Sequence, residues 1–325
     1  MNVFVAGGAG FIGSHAVKRL LKMPEVMSIV VYDNFSSGTR FHLDEVGSNS
    51  RLKIIEGDIK NLDLLKSSMS INKIDLVFHF AANPDIAKAV SQPDIDFWEG
   101  TFLTQNILEA MRVNQVNQLL YTSGSGVYGE KANIAFQESY GPCFPISTYG
   151  ASKLACEALI SSYCYMFGIK GRAFRFANVV GPKQTHGVGY DFIRRLKEDP
   201  TKLRILGDGT QSKAYIFVDD VIDAMLMVYE SALKETVPFD IYNVATDDYV
   251  TVTTIADIAC SIAGCDKNSV DYQYTGGDRG WKGDVPKVLF NVDKIKELGW
   301  RAKKTSFEAL SASICSMHKE IGDVQ

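Results

Sequence analysis

No block of lysine or arginine stands out in this chain of 325 residues, and its net charge is −4. That balance excludes nucleic acid and anionic membrane surfaces as natural partners. A phosphate-bearing ligand would have to be held by local groups. The six cysteines (Cys143, Cys156, Cys164, Cys260, Cys265 and Cys315) form no CxxC pair and show no regular spacing. Several fall on apolar helix faces, where reduced cysteine behaves as a small core residue. The five histidines are scattered, never two to a helix turn, so a metal site has no support. The longest apolar runs, such as 76–82, are far too short to span a bilayer. Strand-like sequence begins at Asn2 without a charged-then-apolar leader. The expectation is a soluble protein of the cytoplasm.

What is present is an ordinary globular mixture, 46% hydrophobic and 22% charged. It is enough for a sizeable core and for one large or two closely joined domains. The first two-thirds alternate strands and helices. Short β-branched runs at 3–6, 28–32, 53–56, 76–80, 118–122 and 171–176 lie between stretches of helical period. That pattern predicts an α/β fold, a doubly wound parallel sheet with helices on both faces. Runs such as Leu76-Val-Phe-His-Phe, apolar on both sides, suit it. After Gly181-Pro182 the pattern changes to helix 190–197, a turn-rich Gly207-Asp-Gly, strand 214–218, helix 219–233 and strand 241–245. Further helices are expected near 252–263, 292–298 and 306–321, with a Gly/Asp-rich loop at 275–286. The division is therefore 1–179 for the first domain, with a return of about 215–245, and 180–325 for a smaller α/β domain.

Gly7, Gly10 and Gly13 form GxxGxxG between the first strand and a helix at 11–20. Glycine there permits a tight turn, backbone approach to a pyrophosphate and close helix–strand packing, and the helix N-terminus offers free N–H groups to the anion. Glycine-rich turns also serve ordinary packing, so context decides. The second strand ends in Asp33, 20 residues beyond Gly13, where a carboxylate bonds ribose hydroxyls and repels a 2′-phosphate. NAD is thus favoured over NADP, with nearby Arg40 read as a solvated surface charge. Tyr149 and Lys153 form YxxxK on the helix 149–167, four residues apart and hence on one face. An ammonium beside a phenol stabilises the phenolate that a base must become. Alone, the pair reads equally as a packed tyrosine and a snorkelling lysine; after a GxxGxxG domain it reads as chemistry.

Together these residues resemble the extended short-chain dehydrogenase/reductase family, and within it the nucleotide-sugar 4-epimerases. The likeness covers essentially the whole chain. It includes Gly57-Asp58-Ile59, His79-Phe-Ala-Ala, Val127-Tyr128-Gly129, Asn178 in Arg175-Phe-Ala-Asn-Val-Val-Gly-Pro, Tyr215-Ile-Phe-Val-Asp-Asp, and Arg279-Gly-Trp-Lys-Gly-Asp284-Val-Pro. The resemblance implies a Rossmann-type domain holding NAD through Gly7, Gly10, Phe11, Ile12, Gly13, Asp33, Asn34, Ser36, Gly38, Asp58, Ile59, Phe80, Ala81 and Ala82, with Tyr149 and Lys153. Phe78 and Phe80 also read as core. It implies that Asn178, Lys213, Tyr215, Arg279, Asp284 and Val288 take a UDP-sugar, and that copies pair as a homodimer. The faces of 101–111 and 154–167 allow that pairing.

Three positions depart from the pattern. Gly124 stands where the family carries a Ser or Thr bonded to the sugar 4-hydroxyl, leaving Ser123, Ser125 or a water to substitute. Gly100 replaces an asparagine. Lys213 replaces an arginine, keeping charge but losing the bidentate fork. The implied reaction has Tyr149 take the 4-hydroxyl proton as C4 gives hydride to NAD; the 4-keto sugar turns about its pyrophosphate, and hydride returns to the other face. A 4,6-dehydratase would carry an Asp-Glu pair where Ser125 and Gly126 stand. A regulatory NAD-binding module remains the non-enzyme alternative. Val288, smaller than the tyrosine of some relatives, implies room for an N-acetyl group.

Overall fold

The computed structural model describes residues 1–131, 134–281 and 283–322. Five of the expected strands form in order as β1 (Asn2–Ala6), β2 (Ser28–Asp33), β3 (Leu52–Glu56), β4 (Leu76–His79) and β5 (Gln118–Gly124). They join Lys170–Phe176 and Phe239–Val244 in a seven-stranded sheet, ordered Phe239–Val244, Lys170–Phe176, β5, β4, β1, β2, β3. Neighbouring strands from β3 to β5 are parallel, with Val5 opposite Val31 on one side and Phe78 on the other. The chain order reverses between β1 and β4, the switch point where open α/β sheets bind ligands at the strands' carboxyl ends. Val3, Phe4, Val5 and Ala6 are all fully buried, as a strand covered on both faces requires.

The crossovers are α1 (Phe11–Leu20), α2 (Leu62–Asn72), α3 (Phe102–Val113) and α4 (Thr148–Phe167). Asn61 caps α2 by accepting from the Leu64 amide, and Ser147 caps α4 by accepting from the Gly150 amide. Gly168, at φ 73°, ends α4 in the left-handed conformation that a non-glycine residue adopts only with strain. One core gathers Phe4, Tyr32, Leu65, Met69, Ile107, Leu119 and Ile160 between sheet and helices.

The chain divides into two compact units. The first comprises Met1–Tyr128, Pro142–Arg175 and Ile222–Tyr242; the second comprises Gly129–Gly141, Phe176–Val221 and the chain from Asn243 onward. The units differ from the boundaries read in the sequence at Gly129–Gly141, 176–179, 215–221 and 243–245. Gly129–Gly141 joins the second unit because Ala135–Phe136 pairs with Leu289–Phe290. Tyr215–Phe217 also belongs there, because it pairs in parallel with Asn178–Val180. The two-residue strands Ala135–Phe136 and Leu289–Phe290 carry too little alternation to be read from sequence, and the partner of Tyr215–Phe217 is set by a pairing that its own pattern does not specify.

Within the second unit Lys202–Ile205 pairs with Asp271–Tyr274, and Ser212–Lys213 with Val250–Thr251. Helices Val188–Glu198, Val252–Ala263 and Ser306–Gly322 enclose its own core of Phe192, Ile193, Leu203, Ile255, Leu310 and Ile314. All six cysteines are free, three of them buried. Among the described residues no group of His, Cys, Asp or Glu could hold a metal ion, and no helix is long and apolar enough to cross a membrane.

Candidate active site

The glycine turn is built for close approach. A Cβ on Gly13 would stand 2.2 Å from the Gly7 carbonyl oxygen, and one on Gly7, itself at φ +77°, 2.6 Å from the Ala81 nitrogen. Only glycine fits both positions. Gly10 is the N-cap of α1 and makes no side-chain cap, so the amides of Phe11, Ile12 and Gly13 keep the donor capacity of a helix start. That end is an anion site of the kind a pyrophosphate occupies.

Asp33 is buried at the end of β2. Its carboxylate accepts from the Ala9 amide (Oδ2, 2.9 Å) and the Phe35 amide (Oδ1, 2.9 Å), strapping the glycine turn to the strand. Burial raises its pKa, against the opposing pull of the two amides and His42. Arg40 points elsewhere: it pairs with Glu56 at 3.6 Å and lies 5.2 Å from the Phe35 ring. Asn34 accepts from the Ser36 amide (3.0 Å) and donates to Asp58 (3.3 Å). A Cβ on Gly38 would meet the Ala9 backbone at 2.9 Å, so this loop lies against the glycine turn. Asn106 Nδ2 donates to the Ile59 carbonyl (3.0 Å), holding the Gly57-Asp58-Ile59 segment. Phe80 stacks on the fully buried Phe78, centroids 5.8 Å apart, and Ala81 and Ala82 are half-buried at the end of β4. The uncapped helix start, the cradle closed to side chains and the carboxylate at the β2 end fit a dinucleotide.

Tyr149 and Lys153 follow on α4 in the same unit. Lys153 is 4% exposed; its ammonium donates to the Thr122 carbonyl (2.7 Å) and lies 5.0 Å from the Tyr121 ring centroid and 5.5 Å from that of Tyr149. Contacts with two aromatic rings and the Thr122 carbonyl fix the aim of the ammonium. Beside it, His79 bonds Thr104 Oγ1 through Nε2 at 3.0 Å, while its Nδ1 has no partner among the described residues. Burial, and then Lys153, push the His79 pKa down to about 3, so the ring is neutral.

The three residues after Thr122 divide clearly. Ser123 is buried and donates to Glu157 Oε1 at 2.6 Å. Glu157 is in turn paired with buried Arg175 at 2.7 Å, and the guanidinium lies 4.6 Å from the Tyr128 ring centroid. Ser123 thus serves a buried ion pair whose members lie 18 positions apart and leave no local pattern to read. At Gly124 an added Cβ would meet nothing within 4 Å, so the family's missing hydroxyl leaves open space. Ser125 follows, half-buried at the start of a 3₁₀ turn.

The remaining residues cluster in the second unit. Asn178 donates from Nδ2 to the Ala214 carbonyl (3.2 Å) beside the strand pair it begins. Tyr215 is buried, which, with Asp284 nearby, raises its pKa. Lys213 forms an ion pair with Asp284 Oδ1, and Asp284 Oδ2 accepts from the Gly280 amide at 3.3 Å. Arg279 pairs with Glu130 (3.3 Å) and Asp278 (3.0 Å), both of which raise its pKa. Val288 is buried beside Leu289–Phe290. Lys282 of the same motif lies outside the described residues. Glu130 was missed in the sequence because its arginine is 149 positions away.

Residues 3–245 match the model of the NAD dependent epimerase/dehydratase family. The UDP-glucose 4-epimerase of Lactobacillus helveticus is 29% identical over 337 residues, covering 98% of this chain and 97% of that protein. A crystal structure of UDP-galactose 4-epimerase superposes with TM-score 0.86 at 35% identity, over 99% of this chain and 100% of the other. A dTDP-glucose 4,6-dehydratase from Streptomyces venezuelae, crystallised with NAD, superposes with TM-score 0.88 at 26% identity, over 99% and 98% of the two chains. With a glycine cradle, an acidic strand end and a Tyr/Lys pair in one unit, and three-quarters of its length under that family's model, the chain belongs to the NAD dependent epimerase/dehydratase family.

Proposed function

We propose that the protein inverts carbon 4 of a UDP-linked hexose, taking both UDP-glucose/UDP-galactose and the corresponding N-acetylhexosamines. The observation that carries this reading is the Lys153 ammonium, 4% exposed and 5.5 Å from the Tyr149 ring centroid, with no carboxylate at Ser125 or Gly126. A dehydratase needs acid/base groups at those two positions to remove water; a 4-epimerase does not.

Bound NAD supplies a reversible hydride acceptor at C4. The chain's residues do the rest. The uncapped start of α1 holds the pyrophosphate, and Asp33 the adenosine ribose. Tyr149 takes the proton of the 4-hydroxyl and returns it, with Lys153 stabilising the phenolate. Ser125, whose neighbour Ser123 is committed to Glu157, is the hydroxyl we assign in place of the one missing at Gly124. Lys213 and Arg279 are the cations for the substrate's phosphates, exchanging Asp284 and Glu130 for them. Holding the nucleotide while leaving the sugar loose is what inversion through a 4-keto sugar requires.

The exposed apolar residues of α3, α4 and the turn before them, among them Phe97, Trp98, Tyr165 and Met166, support a homodimer through these helices. Six free cysteines suit a reducing cytoplasm.

Sugar preference has its own test. Val288→Tyr fills the space we assign to the 2-substituent. Conversion of UDP-N-acetylgalactosamine should fall at least roughly tenfold, while UDP-galactose changes by less than about threefold. Equal effects on the two sugars would remove Val288 from the specificity pocket.

A further inference from the structure

Asp96 is a carboxylate only 2% exposed, at the entry to the π-helical turn Phe97–Thr101. Its Oδ1 accepts from Asn83 Nδ2 at 2.9 Å and its Oδ2 from Thr148 Oγ1 at 2.7 Å. Its main-chain carbonyl accepts from Ser152 Oγ, also at 2.7 Å. None of these partners is a cation. Among the described residues Asp96 has no countercharge, and a buried carboxylate so placed is costly to the fold, so stability alone does not explain it. Two donors, Asn83 and Thr148, converge on it from different segments, one on each carboxylate oxygen.

Where Asp96 holds α4 is the informative part. Thr148 and Ser152 are one helical turn apart and form one stripe of the helix. Tyr149 and Lys153 form the adjacent stripe, rotated by about 100°. Gripping the first stripe at both positions fixes the rotation of the helix about its axis, and so the direction in which the second stripe points. Gly100 completes the arrangement: a Cβ there would stand 2.3 Å from Ser152 Oγ and evict it. The glycine that departs from the family pattern is thus the residue that lets Ser152 reach Asp96.

We propose that Asp96 is a positioning residue for Tyr149, acting through Thr148 and Ser152; the proposal rests on the reading that Tyr149 takes the substrate's proton. The test uses the full-length, NAD-loaded protein and UDP-galactose, with Asp96→Ala, Thr148→Val, Thr148→Ser, the Asp96→Ala/Thr148→Val double variant and Tyr149→Phe. Misaiming a reacting group by about an ångström costs up to roughly 100-fold. Asp96→Ala and Thr148→Val should therefore lose about 10- to 100-fold in kcat, with KM within about twofold and NAD content unchanged. Thr148→Ser, which keeps the hydroxyl, should stay within about threefold of the native chain, and the double variant should be no worse than the worse single one, since both cut the link between Asp96 and Thr148. Amide hydrogen exchange in the first turn of α4 should speed up in Asp96→Ala and Thr148→Val but not in Thr148→Ser. An unchanged kcat in folded Asp96→Ala, or Thr148→Ser failing as Thr148→Val does, overturns the proposal. If Asp96→Ala does not fold, the two Thr148 variants decide. Full activity in Tyr149→Phe would overturn the underlying reading as well, whereas an inactive Tyr149→Phe beside a fully active Asp96→Ala sinks the positioning role alone.

Discussion

Single residues in this chain carry both what the sequence discloses and what it conceals. The placing of Asp33 at a strand end and of Lys153 on a helix was readable because strand, turn and helix periods fix it before any contact is known. The fate of the serines was not. Ser123 and Ser125 are equivalent neighbours in sequence, and only Glu157, 34 positions from Ser123, distinguishes them. Gly124 marks the same limit from the other side: its missing hydroxyl is plain in the sequence, but the space it leaves is not. Since a Cβ there meets nothing within 4 Å, Gly124→Ser should be accommodated with a change in stability below about 0.5 kcal/mol. It should also raise kcat for C4 inversion, by roughly tenfold, by restoring a donor to the 4-oxygen. Initial rates and a thermal melt check both parts; a lower rate at unchanged Tm would mean that the space is needed by the substrate.

At the scale of elements, the strongest constraint is the junction of β1, its glycine turn and α1. A strand apolar on both faces, three glycines three apart and a helix start without a side-chain cap are each common, and together they make a pyrophosphate cradle. Gly13→Ala tests that junction. The new Cβ would stand 2.2 Å from the Gly7 carbonyl oxygen, so backbone must move. A strain of about 1–3 kcal/mol predicts NAD retention weaker by roughly 10- to 100-fold, read as cofactor released from purified protein. Undiminished retention would show that the cradle yields more easily than its packing implies. The helices and long strands were legible because their periods run for several turns or residues. Ala135–Phe136, Ser212–Lys213 and Leu289–Phe290, two residues each, were not, and neither was the π-helical turn before α3.

Over the whole molecule, the parallel sheet was legible because alternating strands and helices leave few topologies open, and the family from motifs such as GxxGxxG and YxxxK. The exact membership of the two units was not, since it is decided by pairings such as that of Tyr215–Phe217 with Asn178–Val180. The same holds for the ion pairs of Lys213 with Asp284 and Arg279 with Glu130, which join residues 71 and 149 positions apart. The direct measurement is C4 epimerisation by the purified protein with NAD present, UDP-galactose and UDP-N-acetylgalactosamine assayed side by side. Both should be converted to their C4 epimers, with conversion abolished in Tyr149→Phe; no conversion of either by protein that still retains NAD would rule out C4 inversion of these UDP-sugars.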